Sequence, residues 1–261
     1  MTTATGRFPP GTFTPRPGTG RRSAMLHAQA RTETLLALRN GEQVLLTLLI
    51  PLALLVGLTV LTAIPVAAPR IDSVAPRIIA LAIMSSAFTS QAIALGFDRR
   101  YGVLKRLAAT AIPRWLIVAG RMAAAAAVVL IQLVVLGVVA AAFGWHPHAA
   151  GIGAAVLLVV LGTLAFGALG VLLGGSLRAE IVLAVANIIW FVLVLAAGAT
   201  IAESAHHAVS AATLLLPSTA LADGLYSALG NGTVPLWEPS VVLLVWGTVA
   251  ALVATRTTKL T

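Results

Sequence analysis

One segment of the chain, residues 98–114, carries the clearest chemistry in the sequence, because it combines charged residues with an apolar stripe at helical spacing. The pattern predicts a short amphipathic helix that ends before Pro113, since proline interrupts a helix. Such a helix would suit the docking of another protein, and a plain basic loop with an interfacial helix explains the residues equally well. The charged residues are Asp98, Arg99, Arg100, Lys105 and Arg106, and the stripe is Val103, Leu104 and Leu107.

Histidine offers a second chemistry, which is metal binding. Glu203, His206 and His207 would share a face of a helix, and imidazole with carboxylate is a zinc-binding combination. His146 and His148 lie far away in the sequence, and no H-E-x-x-H motif is present. Solvated histidines at the membrane surface are the simpler interpretation. We therefore predict no metal site, no catalytic residues and no enzyme activity on this chain.

The sequence also lacks the motif that most often holds ATP phosphates. No G-x-x-x-x-G-K-[ST] loop occurs, so the backbone cradle that this loop provides is missing. No cofactor is therefore expected on this chain. The chain contains no cysteine, which excludes disulfides and thiolate metal sites.

The composition excludes an ordinary soluble domain. Hydrophobic residues make up 59% of the 261 residues, charged residues 10%, and the mean hydropathy is +1.00. Soluble domains are nearer about 45–50% apolar and about 25% charged. A membrane-spanning helix needs about 20 mainly apolar residues, and six segments qualify. They are 44–64, 78–96, 122–143, 151–173, 181–201 and 240–255, the last of them short.

The basic residues predict the orientation of these spans. All of the 17 Lys and Arg residues except Arg70 and Arg77 fall on one side of the six-span arrangement. The positive-inside rule places that side, with both termini, in the cytoplasm. The net charge of +9 then reflects topology and contact with anionic lipid, and it does not indicate nucleic acid.

Composition divides the whole chain into three parts. Residues 1–23 are rich in Pro, Gly and Arg and predict a disordered cytoplasmic tail. Residues 24–41 predict an amphipathic interfacial helix with Ser23 as its N-cap, or else a loosely ordered segment. Residues 42–261 form the membrane domain. Within it, 202–239 faces outside and predicts short helices that dip into or lie on the outer leaflet, broken at Pro217 and at 230–232.

Polar residues within the spans bear on transport. The six predicted span cores contain no charged residue, and Gln91, Gln132 and Asn187 are their main polar members. Because buried charges usually mark ion and proton paths, their absence favours a path for a lipophilic or amphiphilic molecule. Gly170 and Gly174 form a small-xxx-small pair that favours close helix packing. No substrate-binding residues can be assigned.

The 98–114 segment resembles the coupling loop of type-2 ABC transporter permeases, the drug- and polysaccharide-exporter family. Two departures are Arg100 in place of a second acidic residue and Pro113 displaced from its usual place after Thr110. Residues 39–42 with Pro51 are similar to the family's junction before its first span, and residues 216–225 to the segment before its last span. The positions that match the coupling-loop pattern are Asp98, Arg99, Gly102, Leu104, Leu107 and Thr110.

The resemblance implies an all-α, polytopic permease with six transmembrane helices, an N-terminal connecting helix, a cytoplasmic coupling helix and short outer helices. It implies a second permease, identical or different, and two copies of a separate ABC ATPase that binds ATP and Mg. The implied activity is export of a lipophilic or amphiphilic substrate, as in drug efflux, across a bacterial plasma membrane. The alternative is a stand-alone membrane transporter or channel. The residues expected to couple to the ATPase are Asp98, Arg99, Arg100, Gly102, Val103, Leu104, Lys105, Arg106, Leu107, Thr110 and Pro113.

Overall fold

The described part of the chain folds into helices. The computed structural model describes residues 21–61, 68–110, 112–198, 215–233 and 236–257, and no strand occurs within these ranges. The all-α prediction is confirmed. The α-helices are α1 (Arg22–Arg39), α2 (Gly41–Val60), α3 (Arg70–Ile83), α4 (Gln91–Arg100), α5 (Val103–Ala108), α6 (Arg114–Ala142), α7 (Ile152–Ser176), α8 (Ala179–Gly198), α9 (Pro217–Leu229) and α10 (Trp237–Thr257), and a π-helical segment (Met84–Ser90) joins α3 to α4.

Five helices among the described residues are long and apolar enough to cross a membrane, so the prediction of a polytopic membrane protein is confirmed. They correspond to the second to sixth predicted spans, and most are longer than predicted. The sixth span runs over 21 residues and is not short. The first predicted span, 44–64, falls partly outside the described residues, and the apolar helix there runs over Thr47–Val60. The five long helices are Arg70–Arg100, Trp115–Ala142, Ala149–Ser176, Ala179–Gly198 and Trp237–Thr257.

The long helices extend beyond the predicted span cores and include two buried charged residues. Arg77 and Arg121 lie within two of the long helices, and they are only 6% and 3% exposed. Each has a carboxylate partner, Asp223 for Arg77 and Asp98 for Arg121. Because the unfavourable burial of a cation is offset by a paired anion and hydrogen bonds, a helix can continue through these positions.

The N-terminal helix is present but differs in detail from its prediction. α1 begins at Arg22, so the predicted N-cap Ser23 lies inside the helix and makes no capping bond. Its partner is α6, against which it packs along much of its length. At the crossing point, a Cβ added to Gly120 would stand 2.4 Å from the Gln29 side chain. Nearly all of the predicted disordered tail lies outside the described residues.

The segment before α10 contains a helix that is enclosed by the protein. α9 begins at Pro217, ends before Gly230 as predicted, and packs against α3, α7 and α10. Most of its residues are buried, including Ser218 and Thr219. It therefore dips into the helical bundle and does not lie on its surface. Residues 202–214 of the predicted outer segment lie outside the described residues.

The glycines of α7 allow the close packing that their spacing predicts. A Cβ on Gly170 would stand 2.8 Å from the Phe88 carbonyl oxygen, and one on Gly174 would stand 2.4 Å from that of Ala92. No real Cβ tolerates such distances to backbone, so glycine permits α7 to lie directly against the π segment and α4. This contact positions the end of α4, where the 98–114 segment begins.

Candidate functional site

The 98–114 segment forms a tight turn followed by a short helix. α4 ends at Arg100, and Gly102 then adopts φ +69 and ψ 17, a left-handed conformation that favours glycine. α5 follows for six residues. The Thr110 hydroxyl donates a hydrogen bond of 2.6 Å to the Leu107 carbonyl oxygen at the end of α5. Pro113 precedes α6 in an extended conformation, so the segment reverses direction between two long helices.

The apolar stripe of α5 faces the protein's own helices. Leu104 is 2% exposed, and Leu107 is partly buried beside it. The Leu104 side chain, which belongs to the set expected to couple to an ATPase, is therefore enclosed within the chain. It belongs to an apolar cluster that includes residues near the ends of four long helices. Its neighbours in this cluster are Leu95 of α4, Ile117 of α6, Val171 of α7 and Ala254 of α10.

Three charged residues at the end of α4 have partners within the chain. Asp98 pairs with the buried Arg121, and Glu33 of α1 adds a second favourable charge for that guanidinium. Arg99 donates from Nη1 to the carbonyl oxygens of Gly174 and Leu177, both at 3.0 Å. These carbonyls belong to the C-terminal end of α7, where helices lack intrahelical donors. Both contacts hold the start of the segment in place.

Arg100 pairs with Glu180 at the start of α8, but both side chains are largely exposed. An exposed ion pair of this kind contributes little to stability.

The remaining residues of the segment present a polar and cationic surface. Lys105, Arg106 and Thr110 are exposed, and Tyr101 is 65% exposed. Arg106 donates from Nη2 to the Tyr101 carbonyl oxygen at 3.2 Å, which holds its guanidinium beside the turn. The structure thus brings the predicted residues together in one segment. It divides them into internal anchors and a smaller exposed set that a partner could reach.

A second group of polar residues, which sequence analysis left unassigned, surrounds the π segment. Ser86 donates to Gln132 Oε1 at 2.7 Å, and Gln132 Nε2 donates to the Thr47 carbonyl oxygen at 2.9 Å. Trp190 Nε1 donates to Ser85 Oγ at 3.0 Å. These bonds link α2, α6 and α8 to one short stretch of irregular helix. The signal in the sequence was the run of hydroxyl and amide residues at 85–91 within an otherwise apolar span.

A cavity of about 350 Å³ opens beside this segment, between α2 and α8. Thr89 lies on its wall, and the Thr89 hydroxyl is buried without a hydrogen-bond partner in the described residues. Asn187 also lines the cavity and donates to its own helix at 2.7 Å. π segments inside helices are frequent at functional sites. The cavity is therefore a candidate binding site.

A buried charged contact fixes α9 at the opposite end of the bundle. The Arg77 guanidinium lies 3.9 Å from the centre of the Tyr226 ring and 3.9 Å from Asp223. It also donates to the Ser73 carbonyl oxygen at 2.9 Å. A cation above an aromatic ring is stabilised by the ring's quadrupole. This arrangement explains how a charged residue is accommodated in α3, and it secures α9 from the side.

The histidines do not form a metal centre in the part of the chain that the structure describes. No group of three or more His, Cys, Asp or Glu residues comes together there. His146 and His148 are exposed, whereas Glu203, His206 and His207 lie outside the described residues.

Comparison with known protein families gives a match over most of the chain. The family model described as "ABC-2 family transporter protein" matches residues 70–256. This range begins at α3 and includes the 98–114 segment, the π segment and α10. A search of curated proteins found no match.

Proposed function

The chain belongs to the ABC-2 transporter family, and we propose that it is the membrane-spanning subunit of an ATP-driven exporter. The observation that carries this proposal is the burial of Leu104 of α5 in one apolar cluster with residues of α4, α6, α7 and α10. Force applied to α5 by a partner would reach four long helices at once. A separate ATPase would supply that force, since this chain lacks the phosphate-binding loop.

In this proposal the 98–114 segment has two kinds of residue. Asp98 and Arg99 are anchors, because their partners are Arg121 and the end of α7. Tyr101, Lys105 and Arg106 are the docking surface, because they are exposed beside the anchored helix. Two ATPase subunits that bind ATP and Mg would close on each other, and the docking surface would transmit this movement to the spans.

The same end of the bundle would lie in the cytoplasm. It carries Arg99, Arg100, Arg106, Arg178 and Arg256 at or near helix ends. Basic residues near the ends of transmembrane helices are enriched on the cytoplasmic side. We infer a plasma-membrane protein with both termini inside.

The substrate pathway would include the cavity beside the π segment. Its wall combines the Ser85, Thr89 and Asn187 side chains with apolar residues such as Ile50 and Leu183, which suits an amphiphilic molecule. The adjoining face of α8 is apolar and exposed, with Ile188 at 63%. A second permease, identical or different, would cover this face and complete the pathway.

Co-purification tests the docking surface. The tagged chain is isolated from its native membranes in mild detergent, and the accompanying proteins are identified by mass spectrometry. We expect a soluble ABC ATPase in stoichiometric amount, and we expect Lys105→Glu or Arg106→Glu to remove it. Arg256→Glu makes the same change of charge on the exposed end of α10 and is expected to retain it. Retention of the ATPase by all three variants would contradict the proposed docking surface.

Transport by the purified chain without nucleotide would contradict the proposed subunit role. It would indicate a stand-alone transporter or channel. For the pathway, Thr89→Val replaces the hydroxyl by a methyl group at nearly constant shape. We expect it to alter substrate-stimulated ATP hydrolysis of the complex while the thermal stability stays unchanged. Identical stimulation in the variant would exclude Thr89 from the pathway.

A further inference from the structure

A cationic cleft lies next to α5, on the side facing the turn between α7 and α8. Its volume is about 420 Å³, within the roughly 300–1,000 Å³ range of small-molecule sites. Residues from α4, α5 and the α7–α8 turn form the walls, and Gly96 and Leu104 form part of the lining. The charged residues that line it are Arg99, Arg100, Lys105, Arg178 and Glu180.

The cations in this cleft are not all neutralised from within the chain. Glu180 is its one acidic lining residue and pairs with Arg100. Arg99 is directed to two backbone carbonyl oxygens, which leave its charge in place. Neither Lys105 nor Arg178 forms a salt bridge with any residue that the structure describes. The cleft therefore keeps a clear excess of positive charge, and Lys105 and Arg178 give it two exposed donors.

Backbone groups add to the same preference. Ala179 and Glu180 begin α8 and line the cleft, so the first turn of that helix borders it. The N-terminal end of a helix carries unsatisfied N–H groups and a partial positive charge. Lysine, arginine and a helix start are a recurring combination for holding phosphate oxygens.

We propose that this cleft binds the phosphate group of an anionic phospholipid. α8 is long enough to cross a membrane and starts at the cleft, so the cleft lies at one boundary of the hydrocarbon layer. Directly after Glu180, Ile181 and Leu183 of α8 are 47% and 43% exposed. A phosphate in the cleft would thus have apolar protein surface beside it for acyl chains, which a free phosphate would not use.

The site has a mechanical consequence for the chain. A lipid held between Lys105 of α5 and Arg178 before α8 would connect the short helix to a fifth long helix. The Leu104 cluster already joins α5 to four others, and none of them is α8. The bound lipid would stiffen α5 against α8. This inference concerns the chain and its lipid alone and does not depend on the proposed ATPase partner.

Native mass spectrometry of the full chain released from nanodiscs tests the proposal. The probes are phosphatidylglycerol and phosphatidylcholine in matched discs. We expect a retained phosphatidylglycerol adduct and no retained phosphatidylcholine. Lys105→Ala and Arg178→Ala should each weaken retention of phosphatidylglycerol about fivefold, because one basic residue near an anionic lipid contributes about 1 kcal/mol to binding. Both side chains are exposed, so the variants should fold, and thermal unfolding checks this.

Arg106→Ala is the matched control. It removes an exposed cation from the neighbouring position of the same helix, but Arg106 is directed to the Tyr101 carbonyl oxygen and does not line the cleft. It should retain the lipid like the original chain. Equal loss in all three variants, or equal retention of both lipids, would overturn the proposal. Displacement of phosphatidylglycerol by excess inorganic phosphate would assign the cleft to a free anion and overturn the lipid assignment.

Discussion

Asp98 at the end of α4 forms an ion pair with Arg121, which is almost fully buried in α6. The two residues are 23 positions apart, and the 98–114 segment starts at Asp98 and ends before Arg121. The pair therefore closes the base of this segment, while Leu104 holds its middle. A partner that moves α5 would have to move α4 and α6 with it, because the ion pair joins the two helices on either side of the segment.

The first prediction concerns this pair. Asp98→Asn leaves the Arg121 guanidinium buried without its carboxylate, and breaking a buried pair in this way costs about 3–5 kcal/mol. Replacing both residues, as Asp98→Leu with Arg121→Met, removes both charges and should recover most of the lost stability. Thermal unfolding in detergent, followed by tryptophan fluorescence, measures these differences.

The exposed pair Arg100–Glu180 provides the control for that experiment. Glu180→Gln removes a carboxylate from a partner that is half exposed, and such pairs contribute about 0–1 kcal/mol. If the double variant is no more stable than Asp98→Asn, the unpaired charge of Arg121 does not cause the loss of stability. The same conclusion follows if Glu180→Gln lowers the stability as much as Asp98→Asn does.

The second prediction separates anchoring from docking within α5. Leu104→Ala removes a buried side chain and leaves a cavity among four helices, which costs about 2–5 kcal/mol. Lys105→Ala changes the exposed side chain next to it, and surface substitutions usually change the free energy of unfolding by no more than about 0.5 kcal/mol. The unfolding midpoint should therefore fall for Leu104→Ala alone. Equal midpoints would mean that Leu104 is not enclosed, and a docking role for its side chain would become possible again.

The sequence predicted the short amphipathic helix of the 98–114 segment, but it did not predict which way the apolar side of that helix faces. The apolar stripe at Leu104 and Leu107 was recognised from its spacing, which is a local property. Spacing cannot tell whether a stripe faces a partner or the chain's own helices. That answer depends on Ile117, Val171 and Ala254, which approach α5 from distant parts of the sequence.

The ends of the spans were missed for a similar reason. Hydropathy ends a span where a charge appears, so α6 was predicted to start after Arg121, although the helix begins at Arg114. The charge is accommodated because Asp98 arrives from another helix. The cavity beside the π segment likewise depends on contacts such as Ser86 with Gln132, 46 positions away. By contrast, five of the predicted spans were recovered because length and composition alone determine them.

The third prediction tests the turn that starts α5. Gly102 has φ +69, where a residue with a Cβ is strained by about 1–2 kcal/mol. Gly102→Ala should therefore lower the unfolding midpoint, and Gly102→Asn should lower it less, because asparagine tolerates this conformation. Gly137→Ala is the control, since Gly137 lies inside α6 with nothing within 4 Å of an added Cβ. The same midpoint for Gly102→Ala and Gly137→Ala would contradict a left-handed residue at this turn.

The last prediction tests the contact between α7 and α4. A Cβ on Gly174 would stand 2.4 Å from the Ala92 carbonyl oxygen and 3.0 Å from the Leu95 side chain. Because a backbone atom cannot rotate away, Gly174→Ala should force the helices apart, and overpacking of this kind costs about 1–3 kcal/mol. Gly153→Ala, in the same helix but with nothing within 4 Å of an added Cβ, should leave the unfolding midpoint unchanged.

The Gly174 carbonyl oxygen accepts a hydrogen bond from Arg99, so separation of the helices should also disturb the start of the 98–114 segment. In the purified complex we therefore expect Gly174→Ala, and not Gly153→Ala, to reduce ATP-driven transport. Equal stability and transport in both variants would contradict the close approach of α7 to α4.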